Sequence, residues 1–294
     1  MNPFGNLLKE TRTYRGISKV RLCRGLCSAA ALVRYEKEER MPDKFLADAL
    51  LQRLGLNPCR FEFIASNRDF FFSDLRSRLE RLVNQKKAEE ARKLLSLYKT
   101  KITERDILHR QYILLLEAIL DGENGKYKEG IETLKEALSC TKCDIKYLDD
   151  REALLTDIEL RIFYTMAKYL NYLERMDESH KLYENLKIYI DTLKWDNEKR
   201  KEYYPHILYR LSEHELRNLN YGKAGKYLDE AEKILVENYK IDNLYEILCM
   251  KNTKKDFMWA LRIILESKDG KITENGKRIW ENIINQQSSE IQEF

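Results

Sequence analysis

Apolar residues in the first 64 positions recur at the spacing of short amphipathic helices. The first predicted helix covers 4–14, and Gly16 is expected to end it. The second begins at Ser18, whose side chain can cap the following turn, and Gly25 breaks it. The positions expected to be buried in these two helices are Phe4, Leu7, Leu8, Thr11, Val20, Leu22 and Cys23.

Two further helices complete this segment. Ser28 is expected to cap a third helix over Ala29–Lys37, and Pro42 to lie in the first turn of a fourth that stops at Gly55. The positions expected to be buried here are Leu26, Ala31, Leu32, Tyr35, Phe45, Leu46, Ala49, Leu50 and Leu54. We therefore predict a compact N-terminal bundle over residues 1–64.

The second and third predicted helices are joined by a tight turn at Gly25, which is the spacing of a helix-turn-helix. In that motif the outward positions near the start of the second motif helix reach base edges in the major groove, and flanking basic residues contact phosphates. The candidate DNA-binding residues are Lys19, Ser28, Ala29, Ala30, Val33, Arg34, Lys37 and Arg40.

The excess of positive over negative charge lies in the same segment. Residues 1–64 contain 12 Lys plus Arg against 7 Asp plus Glu, whereas the whole chain of 294 residues has a net charge of +4. Because neutralised phosphates supply most non-specific affinity for DNA, a basic bundle joined to a nearly neutral body favours duplex DNA as a partner. A solvated basic surface is the simpler alternative.

Residues 65–294 contain a recurring pattern of paired amphipathic helices. The second helix of each pair begins near Lys87, Tyr127, Met176 and Tyr221, and longer helices are predicted at about 103–121, 151–173 and 199–218. A single hairpin cannot bury its apolar face, whereas a stack of hairpins forms a continuous core. With only 4 Pro and 11 Gly in the chain, this pattern predicts an all-α fold in two domains, 1–64 and 65–294.

The quoted motifs resemble a known family. The stretches L8KETR12, I17SKVRLCRGL26, S28AAALVRYE36 and R40MP42 are similar to the helix-turn-helix of XRE-type regulators, the lambda-repressor-like domain. The short loop between Leu22 and Leu32, followed by tetratricopeptide-like (TPR-like) repeats, resembles the peptide-responsive RRNPP group. The resemblance implies a lambda-repressor-like bundle followed by a TPR-like α-helical solenoid.

The resemblance also carries expectations about single residues. Arg12 and Glu36 match a pair that holds the helix-turn-helix together in the family. Ala29, Ala30 and Val33 depart from the Gln and Ser common at the base-contacting positions. Contacts with thymine methyl groups, Arg34, or groove shape would then have to provide sequence preference.

The segment between the two domains contains three adjacent aromatic residues, Phe70, Phe71 and Phe72, in a predicted linker helix over 65–86. They cannot all lie on one helix stripe. We expect at least one to contact the N-terminal bundle or a second subunit, with burial inside the same chain as the alternative. Apolar residues between Trp259 and Ile284 predict two closing helices.

Polar faces on two of the longer helices suit the extended peptide that the resemblance implies. Arg side chains can hold a peptide carboxylate, and Asn side chains can hold a peptide backbone. An ordinary solvated helix face is the alternative at each position. The candidate peptide-binding residues are Arg161, Tyr164, Lys168, Asn171, His206, Arg210, Glu213 and Arg217.

Signatures of other function classes are few. The pair Cys140 and Cys143 has the spacing of a zinc or redox site but lacks a second pair, and the four histidines show no metal-ligand spacing. No phosphate loop, Gly-x-Ser-x-Gly or dinucleotide motif occurs. We expect no catalysis, cofactor or metal, no membrane segment and a cytoplasmic location.

The sequence therefore predicts a DNA-binding transcriptional regulator, expected to be a homodimer, whose helical repeats sense a peptide or protein signal. The alternative is a TPR-like interaction protein that binds and restrains a signalling partner, with weak or no specific DNA binding.

Overall fold

The computed structural model describes residues 4–60, 66–150, 152–193, 201–238 and 244–251. These residues form α-helices, a short 3-10 helix (Pro58–Arg60) and connecting turns, and the described ranges contain no β-strand. The chain divides into two compact units, residues 1–199 and 200–294. The predicted domain boundary at residue 64 lies inside the first unit and stays a prediction.

The N-terminal bundle contains four helices. Ser18 and Ser28 cap the second and third by accepting hydrogen bonds from the backbone N–H groups of Arg21 and Ala31. Gly16 and Gly25 have φ of +65° and +69°, a left-handed backbone that favours glycine and ends the preceding helices. The helices are α1 (Phe4–Tyr14), α2 (Lys19–Cys23), α3 (Ala29–Glu36) and α4 (Lys44–Arg53).

Two details of the bundle differ from the prediction. Val20 was expected on the buried side of α2, but its side chain is 72% exposed because Leu22 and Cys23 fill the interior. Pro42 was expected inside the first turn of α4, but Asp43 is the N-cap and its carboxylate accepts from the N–H of Leu46 at 2.9 Å. The short acidic side chain caps the helix, so the proline lies just outside it.

The rest of the first unit consists of helical hairpins. The order of long helices agrees with the predicted pattern, although the predicted helix at 151–173 begins only at Asp157, where Thr156 and Glu159 form a capping box. The helices are α5 (Asn67–Asn84), α6 (Ala88–Lys101), α7 (Ile107–Gly122), α8 (Tyr127–Cys140), the short α9 (Ile145–Leu148), α10 (Asp157–Tyr172) and α11 (Met176–Thr192).

The core of the N-terminal bundle continues into the hairpins. Leu8, Leu22 and Leu50 are buried in a cluster that also contains Leu108 of α7 and Leu154, which precedes α10. The bundle therefore packs directly on the repeats within the first unit.

The second unit repeats the hairpin pattern. Its first two helices bury Leu208, Leu211 and Leu228, among other apolar residues. The described helices are α12 (Tyr204–Arg217), α13 (Tyr221–Glu237) and α14 (Leu244–Lys251). The two closing helices predicted between 259 and 284 lie outside the described residues.

Candidate functional site

The outward face of α3 is open to solvent. The side chains of Ala29, Ala30 and Arg34 are exposed, and Val33 is half-buried, while Leu32 and Tyr35 pack inward. The Oγ of Ser28 accepts from the N–H of Ala31 at 3.1 Å, which fixes the first turn of this helix. The predicted outward positions thus share one accessible surface, called here the α3 face (Ser28, Ala29, Ala30, Val33 and Arg34).

Three further basic candidate residues precede or follow the α3 face along the chain. Lys37 and Arg40 are exposed after the end of α3, and the Nζ of Lys37 lies 3.7 Å from Glu39 Oε1. Lys19 is half-buried at the start of α2, with its Nζ 4.0 Å from Glu36 Oε2. The eight candidate DNA-binding residues therefore lie on α2, at the N-cap of α3, on α3 itself and in the segment that follows α3.

Arg12 and Glu36 form the ion pair that the resemblance implies. Arg12 Nε donates to Glu36 Oε1 at 2.5 Å, and Arg12 Nη1 donates to the carbonyl of Ile17 at 3.1 Å. Both charged groups are largely buried. The pair ties α1 to α3 and to the start of α2, so it holds the α3 face in place rather than forming part of it.

A second buried ion pair was not anticipated from the sequence. Arg53, at the end of α4, contacts Glu159 in the first turn of α10, with Nη2 and Oε1 3.1 Å apart and both side chains almost fully buried. Arg53 Nη1 also donates to the carbonyls of Leu22 and Arg24. The Thr-x-x-Glu capping motif at 156–159 was visible in the sequence, but its partner in the bundle was not.

The candidate peptide-binding residues of the first unit lie along α10. Arg161 Nη1 donates to both carboxylate oxygens of Glu80 on α5, at 2.7 and 2.8 Å. The ring of Tyr164 packs edge-on against Tyr183, and Lys168 Nζ lies 5.7 Å from the ring centroid of Tyr172. These side chains, together with Asn171, are half-buried and form a polar strip with aromatic neighbours.

The remaining candidates lie on α12 in the second unit. His206, Arg210 and Glu213 are half-buried, whereas Arg217 is exposed. Arg210 Nη1 donates to Glu213 Oε2 at 2.7 Å, one helical turn away. The eight predicted residues therefore belong to two separate compact units.

The cysteine pair lies at the end of α8, where Cys140 is the last helical residue and Cys143 is in the turn that follows. Cys143 is buried and Cys140 is half-buried, where its Sγ donates to the carbonyl of Glu136 at 3.6 Å. Burial raises the pKa of both thiols. Metal ligation and nucleophilic chemistry require the thiolate, so these surroundings favour a structural role.

The described residues include no helix that is long and apolar enough to cross a bilayer. No protein-family model matches the chain, and neither does any curated protein sequence.

Comparison with solved structures shows a similar architecture. The crystal structure of Bacillus thuringiensis PlcR in complex with the peptide PapR7 and DNA aligns over 99% of this chain and 99% of that chain, with a TM-score of 0.52 and 14% identity. The chain has the PlcR fold. The predicted all-α fold class is therefore confirmed, and the likeness to PlcR is one of fold.

Two structures of the regulator ComR also align with the chain. Apo ComR from Streptococcus vestibularis covers 79% of this chain and 91% of that one, at 17% identity and a TM-score of 0.33. ComR from S. thermophilus in complex with DNA and its signalling peptide ComS aligns over 88% of this chain and 99% of that chain, at 13% identity and a TM-score of 0.34.

Proposed function

We propose that this protein is a transcriptional regulator whose N-terminal bundle binds double-stranded DNA. The observation that carries the proposal is the solvent-exposed α3 face in a bundle with excess positive charge. A helix of this kind fits the major groove, which admits one α-helix. The PlcR fold supports the proposal, because PlcR was crystallised with DNA and a peptide.

The residues of the bundle divide into two roles. Lys19, Ser28, Lys37 and Arg40 contact phosphates and set the position of the bundle on the duplex. Arg34 is the group on the α3 face suited to a paired hydrogen bond with guanine. The remaining outward positions, Ala29, Ala30 and Val33, contact thymine methyl groups.

The helical hairpins sense a peptide or protein signal in this proposal. The strip on α10 offers Arg161 for a carboxylate, Asn171 for a peptide backbone and Tyr164 for an apolar side chain. The face on α12 offers similar chemistry. A signal regulates DNA binding only if it binds one arrangement of the protein better than another. Native mass spectrometry of the protein purified from its own cell tests for a bound peptide.

The decisive experiment is immunoprecipitation of the protein from its native cell, with sequencing of the bound DNA. We expect sharp peaks for the wild type and their loss in the variant Arg34→Glu with Lys37→Glu. The matched control is Lys86→Glu with Lys93→Glu, which changes the charge equally at two exposed positions outside the bundle and should keep the peaks. Equal enrichment in all three proteins would contradict the proposal.

One observation favours a second candidate function. Ala29 and Ala30 are the outward residues at the start of α3, and they offer no side-chain hydrogen bond to a base. A protein that binds and restrains a signalling partner would use such a small, apolar surface. In that case the immunoprecipitate would contain a protein partner and no enriched DNA.

A further inference from the structure

The contact between the N-terminal bundle and α10 contains a charged pair that is almost entirely removed from water. The side chains of Arg53 and Glu159 are 1% and 0% exposed, and they come from positions 106 residues apart. Removing two charges from water is unfavourable, and their mutual attraction offsets this cost only in a well-defined geometry. A buried pair is therefore better suited to fixing an arrangement than to adding stability.

Glu159 is held in place by the start of its own helix. Its carboxylate accepts from the N–H of Thr156 at 2.7 Å and from the hydroxyl of Thr141 at 2.6 Å, in addition to Arg53. Arg53 in turn donates to the carbonyl of Leu22 on α2 and to the carbonyl of Arg24 in the turn before α3. The network thus joins the turn of the helix-turn-helix to the first turn of α10.

Close backbone packing accompanies the ion pair. A Cβ atom at Gly25 would lie 1.7 Å from the carbonyl oxygen of Thr141, so the two backbones touch where only glycine fits. Arg21 Nε donates to the carbonyl of Glu152 at 2.5 Å, and the guanidinium of Arg24 lies 4.0 Å from the ring centroid of Tyr147. Such contacts restrict the orientation as well as the position of the bundle.

The α3 face stays accessible in this arrangement. Ala29, Ala30 and Arg34 are exposed, as are Lys37 and Arg40 after the helix. The network holds the α2–α3 turn and the end of α4, and it leaves the proposed base-contacting and phosphate-contacting side chains open. It therefore presents the α3 face rather than covering it.

We infer that Arg53 and Glu159 are positioning residues for DNA binding, which fix the angle at which the repeats present α3 to the duplex. The inference rests on the proposed function. In the homodimer that the sequence predicts, two protomers on paired half-sites must each present α3 at a set angle, so the pair would determine which half-site spacing the protein accepts. Because α10 also carries Arg161, Tyr164 and Lys168, a ligand on that strip would act on the helix that orients the bundle.

The test replaces the charged pair by apolar residues, Arg53→Met with Glu159→Leu, because single changes would leave an unpaired buried charge. The matched control is Arg110→Met with Glu136→Leu, an exposed pair on α7 and α8. A second variant, Gly25→Ala, disrupts the same contact without touching a charge. Its control is Gly16→Ala, which has a similar φ but no neighbour within 4 Å of the added Cβ.

The first readout needs no DNA. Double electron–electron resonance measures the distance between two spin labels. With the labels at Lys37 and Lys135, each introduced on an unnatural amino acid, it reports the distance from the end of α3 to α8. We expect a narrow distribution in the wild type and both controls, and a broadened or shifted one in Arg53→Met with Glu159→Leu and in Gly25→Ala. An unchanged distribution in both test variants overturns the inference.

The second readout uses duplexes selected from a random pool by the wild type, with base pairs then inserted between the half-sites. We expect the test variants to keep wild-type affinity for one half-site but to lose at least about tenfold on the paired site, or to prefer another spacing. A test variant could show a broadened spin-label distance distribution and still prefer the same half-site spacing as the wild type. That result would overturn the positioning role. If the wild type selects no duplex, the proposed function fails, and the positioning role fails with it.

Discussion

His109 is buried where the N-terminal bundle packs against the first hairpins. His109 of α7 lies between the rings of Phe45 and Phe72, with centroid distances of 4.9 and 4.3 Å, and its Nδ1 is 2.7 Å from the hydroxyl of Tyr98. Burial, together with the nearby charge of Arg76, lowers the pKa of His109 from 6.5 to about 4. The imidazole is therefore neutral in the folded protein at neutral pH.

This shift predicts that the protein loses stability in mild acid. Between pH 6.5 and 4 the unfolded chain protonates this histidine and the folded chain does not, so the free energy of unfolding falls as the pH falls through that window. At pH 5 the protonation of His109 in the unfolded chain lowers the free energy of unfolding by about 2 kcal/mol. Urea unfolding at pH 7 and pH 5 measures the loss.

Because the chain contains three other histidines, the comparison must be made against His109→Gln. This variant is expected to be less stable at pH 7 but to lose about 2 kcal/mol less than the wild type on going to pH 5. An equal loss in the two proteins would show that His109 is not held neutral.

At the scale of one element, the three adjacent aromatic residues of α5 differ in how far they are buried. Phe72 is buried against Tyr98 and His109 inside the chain, while Phe70 and Phe71 are 62% and 38% exposed. The alternative of burial within the same chain therefore holds for Phe72. The other two remain available to a second subunit, as the predicted homodimer would require.

We predict that Phe70→Ser with Phe71→Ser weakens self-association without a large change in stability. Exposed side chains contribute little to folding but can contribute strongly when an interface buries them. Sedimentation equilibrium measures the association and urea unfolding the stability. The control Phe72→Ala should cost about 3–5 kcal/mol of stability through the cavity it leaves. Unaltered association in the double variant would assign the dimer contact to another surface.

Local signals account for how well the helices were predicted. Ser18 and Ser28 are strong N-caps, and Gly16 and Gly25 adopt the left-handed backbone that ends a helix, so short-range chemistry defines α1 to α3. The start of α10 was predicted six residues early, because the apolar residues at 153–155 are buried without being helical. Apolar periodicity reports burial, and only the capping box distinguishes the helix from the segment before it.

Long-range pairs explain what the sequence did not reveal. Arg53 and Glu159 are each unremarkable in their own helices, and their partnership depends on how two distant segments pack. The Arg12–Glu36 pair was expected only because the chain resembles a family in which the matching residues pair. The spacing of apolar residues along the chain does not predict this contact. Composition and periodicity specify elements, whereas the contacts between elements come from the tertiary structure.

For the whole molecule, charge distribution predicts how binding should respond to salt. The bundle holds the excess positive charge of a chain whose net charge is only +4. A protein that contacts phosphates releases condensed counterions, so the logarithm of its DNA affinity falls linearly with the logarithm of salt concentration, by about 0.9 per phosphate contacted. Three charged contacts, from Lys19, Lys37 and Arg40, would give a slope of about −2.7.

We predict that Lys37→Ala makes this slope about 0.9 units shallower and weakens binding to the selected and random duplexes by similar factors, because a phosphate contact carries no sequence information. Fluorescence anisotropy over a series of salt concentrations measures both quantities. Lys86→Ala, an exposed lysine outside the bundle, should leave the slope unchanged. A steep slope that survives Lys37→Ala would place the phosphate contacts elsewhere on the bundle. A wild-type affinity that barely depends on salt would favour the apolar surface of α3 as a protein-binding site.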